Sequence, residues 1–407
     1  MRKISHRNAF TLIEILVVLI ILSTLGAMVT TAVSGVRTTA REARTKRIIS
    51  IVDSVIAEQY EQLRYRPLPV EPASTGGTVS IEILANEAAR VRLVMLRDLQ
   101  RMELPDRYTD IISNPALIKA AGSPVIERDG VIVQTRDDPT QRFYPYPISW
   151  YNATNLPPKL TGYRNRLTDT ADILAQRNQG AECLYLILST SFVGGQPAIG
   201  AIPQSNIGDT DDDGMLEILD GWGRPLQYVR WPVGFTPSQN PSVPSIDFEA
   251  TVNVERPDDF DLFRADFAYV SSQGPGWATD VKNNQKVRPW AMKPLIFSLG
   301  DDGESGVATN PGDQPGLPKN NFNYYATKWN WQSDNSDYLG TEIAGRGSDT
   351  FAYPDPYLRK FIASNEWTSD VSLPGELLGG LNNANEIKRS LDQATDNITN
   401  YELQVSP

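Results

Sequence analysis

Residues 1–36 read MRKISHRNAF TLIEILVVLI ILSTLGAMVT TAVSGV, and the rest of the architecture follows from this stretch. Arg2, Lys3 and Arg7 come first, then an apolar run in which Glu14 is the single charge between Phe10 and Val36. Residues 15–36 are 22 uncharged residues in succession, about 33 Å of helix at 1.5 Å per residue and enough to cross a bilayer. A secretory signal peptide has a shorter core followed by a small-residue cleavage site. This core is longer and runs straight into a patterned helix. A plain membrane anchor accounts for the run but not for Glu14, since a charge at the bilayer centre costs about 2.5–3.5 kcal/mol and is normally functional.

Beyond the run, Ile48, Val52, Val55, Ile56, Gln59, Tyr60 and Leu63 recur at three- and four-residue spacing, an amphipathic stripe that Pro67 and Pro69 stop. Residues 10–63 are therefore expected to form one helix, roughly 80 Å long. Its first half belongs in lipid or a filament core, and its second half against a head. Gly26 is either a point of flexure or a place for close helix approach. Arg37, Arg41, Arg44, Lys46 and Arg47 follow the apolar run, outnumbering the three basic residues before it. By the positive-inside rule alone the N-terminus is not clearly cytoplasmic.

The stretch Ala9-Phe10-Thr11-Leu12-Ile13-Glu14 resembles the processing motif of type IV prepilins and type II secretion pseudopilins. The resemblance implies that prepilin peptidase cuts between Ala9 and Phe10 and that the new amino group on Phe10 is methylated. Glu14 then becomes the fifth mature residue, where the family carries its assembly carboxylate; Ala9 stands where Gly is more usual. The physics is consistent with that role. An amino group at a helix start opposes the macrodipole while Glu14 in the first turn favours it, and Glu14 of one subunit can neutralise the Phe10 ammonium of a neighbour. The motif implies a cytoplasmic N-terminus despite this charge balance, which Glu42 offsets in part.

Composition narrows the function further. The 407 residues include one cysteine, Cys183, and one histidine, His6, which lies in the expected leader. A mature chain without histidine excludes Ser-His, Cys-His and His-ligated metal chemistry, so no enzyme is expected. Residues 1–107 hold 15 Lys/Arg against 11 Asp/Glu, a net of +4, and residues 108–407 hold 23 against 38, a net of −15. A head that acidic is not expected to bind nucleic acid and suits hard cations such as calcium. With Gly and Pro at 29 each, a loop-rich head is expected.

A second helix fits residues 79–103, with Leu84, Ala88, Val91, Met95, Leu99 and Met102 on one face. Residues 105–160 are Pro- and Tyr-rich and read as irregular; residues 181–190 (AECLYLILST) read as a short buried helix with Cys183 a core thiol. Strands are expected at 225–231, 266–271 and 294–299, and a surface helix near 385–395. Trp222, Trp231 and Trp290 read as core or sheet-flank residues. Asn397-Ile398-Thr399 matches a glycosylation pattern, taken as chance.

The segment GDTDDDGMLEILDGWGRPLQYV, residues 208–229, carries the most chemistry of the head. Asp209, Asp211 and Asp213 alternate before Gly214, Met215 offers a backbone carbonyl at the seventh position, Glu217 is ninth and Asp220 twelfth. That is the spacing of a calcium loop; a solvated acidic turn is the alternative. Residues 220–228 (DGWGRPLQY) resemble the Asp-x-Trp-Gly-x-Pro-x-x-Tyr signature of the major, G-type pseudopilin. Residues 297–303 (FSLGDDG) resemble that family's Ser-Leu-Gly-x-Asp-Gly stretch. This second match implies calcium ligands at Asp302 and, more remotely, Asp313.

The expectation is thus an α+β protein with a long N-terminal transmembrane and stalk helix and a head of inserted helices and a small antiparallel sheet with calcium-type loops. Its parts are a leader at 1–9, the pilin-type helix at 10–66 (transmembrane about 12–36), an inserted helical region at 79–200, a pseudopilin-like β head at 201–350 and a C-terminal extension at 351–407. The resemblance implies a single-pass protein of the bacterial inner membrane with a periplasmic head. Its partners would be prepilin peptidase, other pilin or pseudopilin subunits and an inner-membrane secretion platform. Alternatives are a type IV pilus or DNA-uptake minor pilin and a membrane-tethered binding domain that never polymerises.

Overall fold

The computed structural model describes residues 12–69, 92–93, 95–112, 115, 117–120, 124–128, 131–134, 151, 154–167, 178–232, 235, 259–260, 293–307, 309 and 387–405. It is an α+β chain led by one long helix, α1 (Leu12–Arg64), of 53 residues, about 80 Å. Glu14 in its first turn and Arg64 in its last both suit the helix dipole. Pro67, which lacks an amide hydrogen, lies just past its end, where the Arg66 amide closes a last turn onto the Leu63 carbonyl at 3.2 Å.

The helix divides as its sequence pattern demands. From Leu12 to Val36 its large apolar side chains are exposed. From Ile48 onward the stripe Ile48, Ile49, Val52, Val55, Ile56, Tyr60 and Leu63 is buried in the main core of the head, each side chain contributing roughly 1.5–3 kcal/mol. Gln59, the polar member of the stripe, is also buried; its amide donates to Ser191 Oγ at 2.6 Å and its oxygen accepts from Lys159 Nζ at 2.9 Å. The basic residues past the apolar run also serve the head: Arg44 donates to Asn206 Oδ1 at 2.7 Å, and Lys46 pairs with Glu402 at 2.9 Å.

Behind this stripe stand α2 (residues 95–103), α3 (Tyr108–Ile112), α4 (Pro158–Arg164) and α5 (Gln179–Thr190), and between α3 and α4 in the chain comes a three-stranded antiparallel sheet of β1 (Leu117–Ala120), β2 (Pro124–Arg128) and β3 (Val131–Gln134). Met95, Leu99 and Met102 are buried as their spacing predicts; Leu84, Ala88 and Val91 lie outside the described residues. Residues 105–160, expected to be irregular, contain α3, the three strands and the start of α4. Their Pro and Tyr content misleads because the apolar alternation is confined to runs of four or five residues. The α5 helix is buried along most of its length, with Cys183 a buried thiol.

Two short antiparallel pairs follow, β4 (Phe192–Val193) with β5 (Gln196–Pro197) and β6 (Ile207–Gly208) with β7 (Glu217–Ile218). The central sheet has the order β10-β9-β8, built from β8 (Gln227–Val229), β9 (Leu295–Ser298) and β10 (Ile398–Thr399), all antiparallel. Tyr228 and Ile296 face the main core, while Val229, Leu295 and Phe297 join a second apolar cluster with Trp231 and Ala394. Both faces are therefore covered, which explains continuous apolar runs in place of alternation. The strand expected at 266–271 lies outside the described residues.

The sheet's third strand comes from the chain terminus, flanked by α6 (Ile387–Ala394) and α7 (Asn400–Val405). Asn400 ties the pieces together: its oxygen accepts from the Ile296 amide at 3.0 Å, and its nitrogen donates to Asp53 Oδ1 of α1 at 2.7 Å and to the Pro294 carbonyl at 3.0 Å. Asn397 and Thr399 are buried, so the glycosylation pattern is part of the fold.

The stalk meets the sheet at Gly221. Its amide donates to Thr45 Oγ1 at 2.8 Å, and a Cβ at this position would collide with the Arg41 backbone carbonyl. Gly221→Ala is expected to push α1 off the turn and cost about 1–3 kcal/mol. Thermal unfolding of the detergent-extracted protein should show a lower Tm; an unchanged Tm would contradict this seat.

Candidate assembly helix and candidate metal centre

Two sets of residues carry chemistry. The first is the exposed half of α1, whose apolar side chains surround the helix on every side from Leu12 to Val36. Its hydroxyls are folded back onto the helix: Ser23, Thr24 and Thr30 donate to the carbonyls of Ile20, Ile21 and Ala27 at 2.8–2.9 Å. Polar groups satisfied within the helix leave a surface fit for lipid or neighbouring helices. Leu12–Arg64 is the one helix among the described residues long and apolar enough to cross a membrane. Glu14 is exposed at its start. Among the described residues nothing beyond the helix's own backbone lies within 4 Å of a Cβ at Gly26, so no close approach among them explains that glycine. Ala9 and Phe10 lie outside the described residues.

The second set is the acidic loop between β6 and β7. The backbone turns there through left-handed Asp212 (φ 60°) and Gly214 (φ 89°). Asp209 Oδ2 accepts from the Gly214 amide at 2.9 Å and Asp213 Oδ1 from the Met215 amide at 2.8 Å. Glu217, buried on β7, accepts from the Thr210 amide and hydroxyl, both at 2.9 Å, and from Asn178 Nδ2 at 3.1 Å. Asn178 reaches across from the N-cap of α5, where it adopts φ 57°.

Helix α5 also supplies Glu182, a residue that the spacing of the loop does not indicate. Asp209, Asp211 and Asp213 each bring a carboxylate oxygen within 4.8 Å of the others, and Glu182, Asp211 and Glu217 do the same. The two groups share Asp211. Glu182 is fully buried, and among the described residues neither of its oxygens has a well-formed hydrogen bond. The Tyr108 hydroxyl lies beside Glu182 and favours its charged form, but does not reach full hydrogen-bond geometry with either oxygen. Burial, with the negative charges of Asp213, Asp211 and Glu217 added, pushes the Glu182 carboxyl up to about 9. Burial likewise raises Glu217 to about 7, although the donors of Thr210 and Asn178 oppose it. The one available sequence signal was a glutamate in the first turn of an otherwise buried helix.

The remaining expected ligands are placed differently. Met215 is buried against the main core. Asp220 belongs to neither group of carboxylates among the described residues. Its Oδ1 accepts from the amides of Trp222 and Arg224 at 2.8 and 2.9 Å, and its Oδ2 from Ser298 Oγ at 2.6 Å. With both oxygens committed to the turn and to β9, the twelfth-position carboxylate pins the sheet and does not join the cluster. Asp302 Oδ1 accepts from the Glu304 amide at 2.8 Å, and burial raises its carboxyl. Among the described residues it is not gathered into a group of three carboxylates. Asp313 lies outside the described residues.

The two stretches that resemble pseudopilin signatures lock onto each other. Trp222 Nε1 donates to Asp301 Oδ1 at 2.7 Å, and Arg224 donates to the carbonyls of Gly300 and Asp301 at 2.7 and 3.1 Å. Their Tyr228 and Phe297 stand on paired strands. Trp222 is partly buried and Trp231 fully buried, both in the sheet region; Trp290 lies outside the described residues.

Comparison with known proteins adds one finding. Residues 4–30 match the family model of the prokaryotic N-terminal methylation motif. The match supports a prepilin-type start to the chain, with processing by prepilin peptidase and assembly with other pilin subunits. No curated protein and no solved structure matches the chain.

Proposed function

We propose that the chain is a structural subunit of the prepilin type that is cut between Ala9 and Phe10, methylated on Phe10, and assembled into the pseudopilus of a type II secretion-like system. The observation that carries the reading is the union of the methylation motif over residues 4–30 with a single helix exposed and apolar in its first half and buried in the head in its second. A soluble protein gains nothing from exposing such a surface; a subunit whose helices pack in a bundle does.

Secretion is favoured over a pilus because residues 220–228 and 297–303 both resemble pseudopilin signatures and bond directly to each other. The net charge of −15 beyond residue 107 opposes uptake of DNA. A head of this bulk suits a minor subunit, since closely packed helices leave little lateral room. The same reading puts the anchor in the bacterial inner membrane and the head in the periplasm.

The test is the intact mass and N-terminal sequence of protein extracted from its native membranes, followed by crosslinking to neighbouring subunits. A chain starting at methylated Phe10 and crosslinked to secretion subunits is the expected result. Crosslinks to pilus subunits would move the assignment to a type IV pilus. A chain still carrying Met1 would replace it with a membrane-tethered domain.

A further inference from the structure

We propose that Glu182, Asp209, Asp211, Asp213 and Glu217 bind one calcium ion, with Glu182 of α5 taking the place that loop spacing assigns to Asp220. The inference is independent of the assembly reading, since it concerns only the head. Calcium accepts six to eight oxygens at about 2.3–2.6 Å, so oxygens on opposite sides of one ion stand about 5 Å apart. The two carboxylate groups fit that span, each within 4.8 Å and sharing Asp211.

The observation that separates this cluster from an ordinary acidic turn is Glu182. A carboxylate with no solvent exposure and, among the described residues, no well-formed hydrogen bond to either oxygen is an unstable arrangement unless a cation completes it. Asp209 Oδ1 is likewise buried without a hydrogen bond. Donors on the other side of the site are already directed: the Thr210 amide and hydroxyl and Asn178 Nδ2 orient Glu217, as second-layer contacts do around bound metals. The Gly214 and Met215 amides hold Asp209 and Asp213 in the turn.

The donor set selects the ion. All five side chains offer carboxylate oxygen, which suits hard cations over zinc or copper. Magnesium keeps much of its water, and a wholly buried Glu182 calls for direct contact. The ion would tie the loop at 209–216 to α5 and to β7, whose ladder to β6 is two residues long. Its role is a staple of the fold.

The experiment uses the full chain in detergent, with thermal unfolding followed in EGTA, in millimolar calcium chloride and in magnesium chloride. Calcium should raise the Tm by about 5 °C or more, and magnesium by much less. Glu182→Gln should remove the calcium response and leave the Tm in EGTA at or above that of the original chain, because the amide fills the same space without an ionisable group that needs the ion. Asp209→Asn, on the partly exposed loop, should weaken the response and decides the matter should Glu182→Gln not fold. No calcium shift in the original chain overturns the proposal. So does an undiminished shift in both variants, which would place the ion elsewhere, for example at Asp302.

Discussion

Replacing Glu14 with Ala is expected to abolish incorporation of the subunit into filaments while leaving membrane insertion and the folded head intact. The substitution makes the first turn of α1 more apolar, so insertion is not impaired. The head is also untouched, since its contacts with α1 begin near Arg41 and Thr45 and bury the stripe from Ile48 onward. What is lost is the carboxylate that would meet the Phe10 ammonium of a neighbouring subunit. An uncompensated charge within the bilayer costs about 2.5–3.5 kcal/mol, so removing its partner should lower incorporation roughly 100-fold. The measurement is the amount of subunit in sheared filaments against the amount in membranes, with protease resistance of the head as the folding control. Normal incorporation of Glu14→Ala would remove the assembly role of this residue and favour a tethered domain.

Arg230→Ala carries the largest expected effect on the stability of the head. Arg230 is almost fully buried. It donates to Asp110 Oδ2 at 2.6 Å and to the Leu104 carbonyl at 3.1 Å, pairs with Asp106 at 3.5 Å, and stacks over Trp231 at 4.1 Å from the ring centroid. It joins the end of β8 to the turn between α2 and α3, two segments more than a hundred residues apart. Truncation leaves two buried carboxylates with reduced compensation, a change that costs about 3–5 kcal/mol.

The pH dependence gives the prediction a second readout. Burial alone would raise the Asp110 carboxyl, but Arg230, Arg107 and Arg101 outweigh it and hold the group at about 2. A carboxyl depressed below its unfolded value of 3.8 stabilises the fold above that value, and this contribution is lost as pH falls toward 2. The stability gap between Arg230→Ala and the original chain should therefore be largest near neutral pH and shrink as pH falls toward 2. A deficit below 1 kcal/mol at neutral pH, or one independent of pH, would show that Arg230 does not act through these carboxylates. Denaturant titrations across that pH range measure both.

The distance from spacing to structure is clearest in the acidic loop. Counting residues from Asp209 nominates Asp220, because the loop pattern repeats along the chain. The fold directs Asp220 elsewhere, for its carboxylate finds amides at Trp222 and Arg224 and a hydroxyl on Ser298, 78 residues away. Glu182 enters the cluster from the other direction. Nothing within ten residues of it suggests an acidic site, and only the packing of α5 on β7 carries it there. The C-terminal strand is a similar case. Ile398 and Thr399 make a run too short to declare itself, and pairing with Ser298 and Phe297 defines them.

By itself the sequence determined the long helix, its stop before Pro67, its division into an exposed and a buried half, the N-terminal motif and the buried α5. These are local properties, set by an uninterrupted apolar run, a 3.6-residue period and a proline, and they hold in any context that supplies a head or a membrane. Tertiary structure alone decided the membership of Glu182 in the carboxylate cluster, the diversion of Asp220 to the sheet, the Arg230 network and the strand from the C-terminus. Each of these rests on groups far apart in the chain, and a side chain's partner over such distances depends on which elements the core brings into contact.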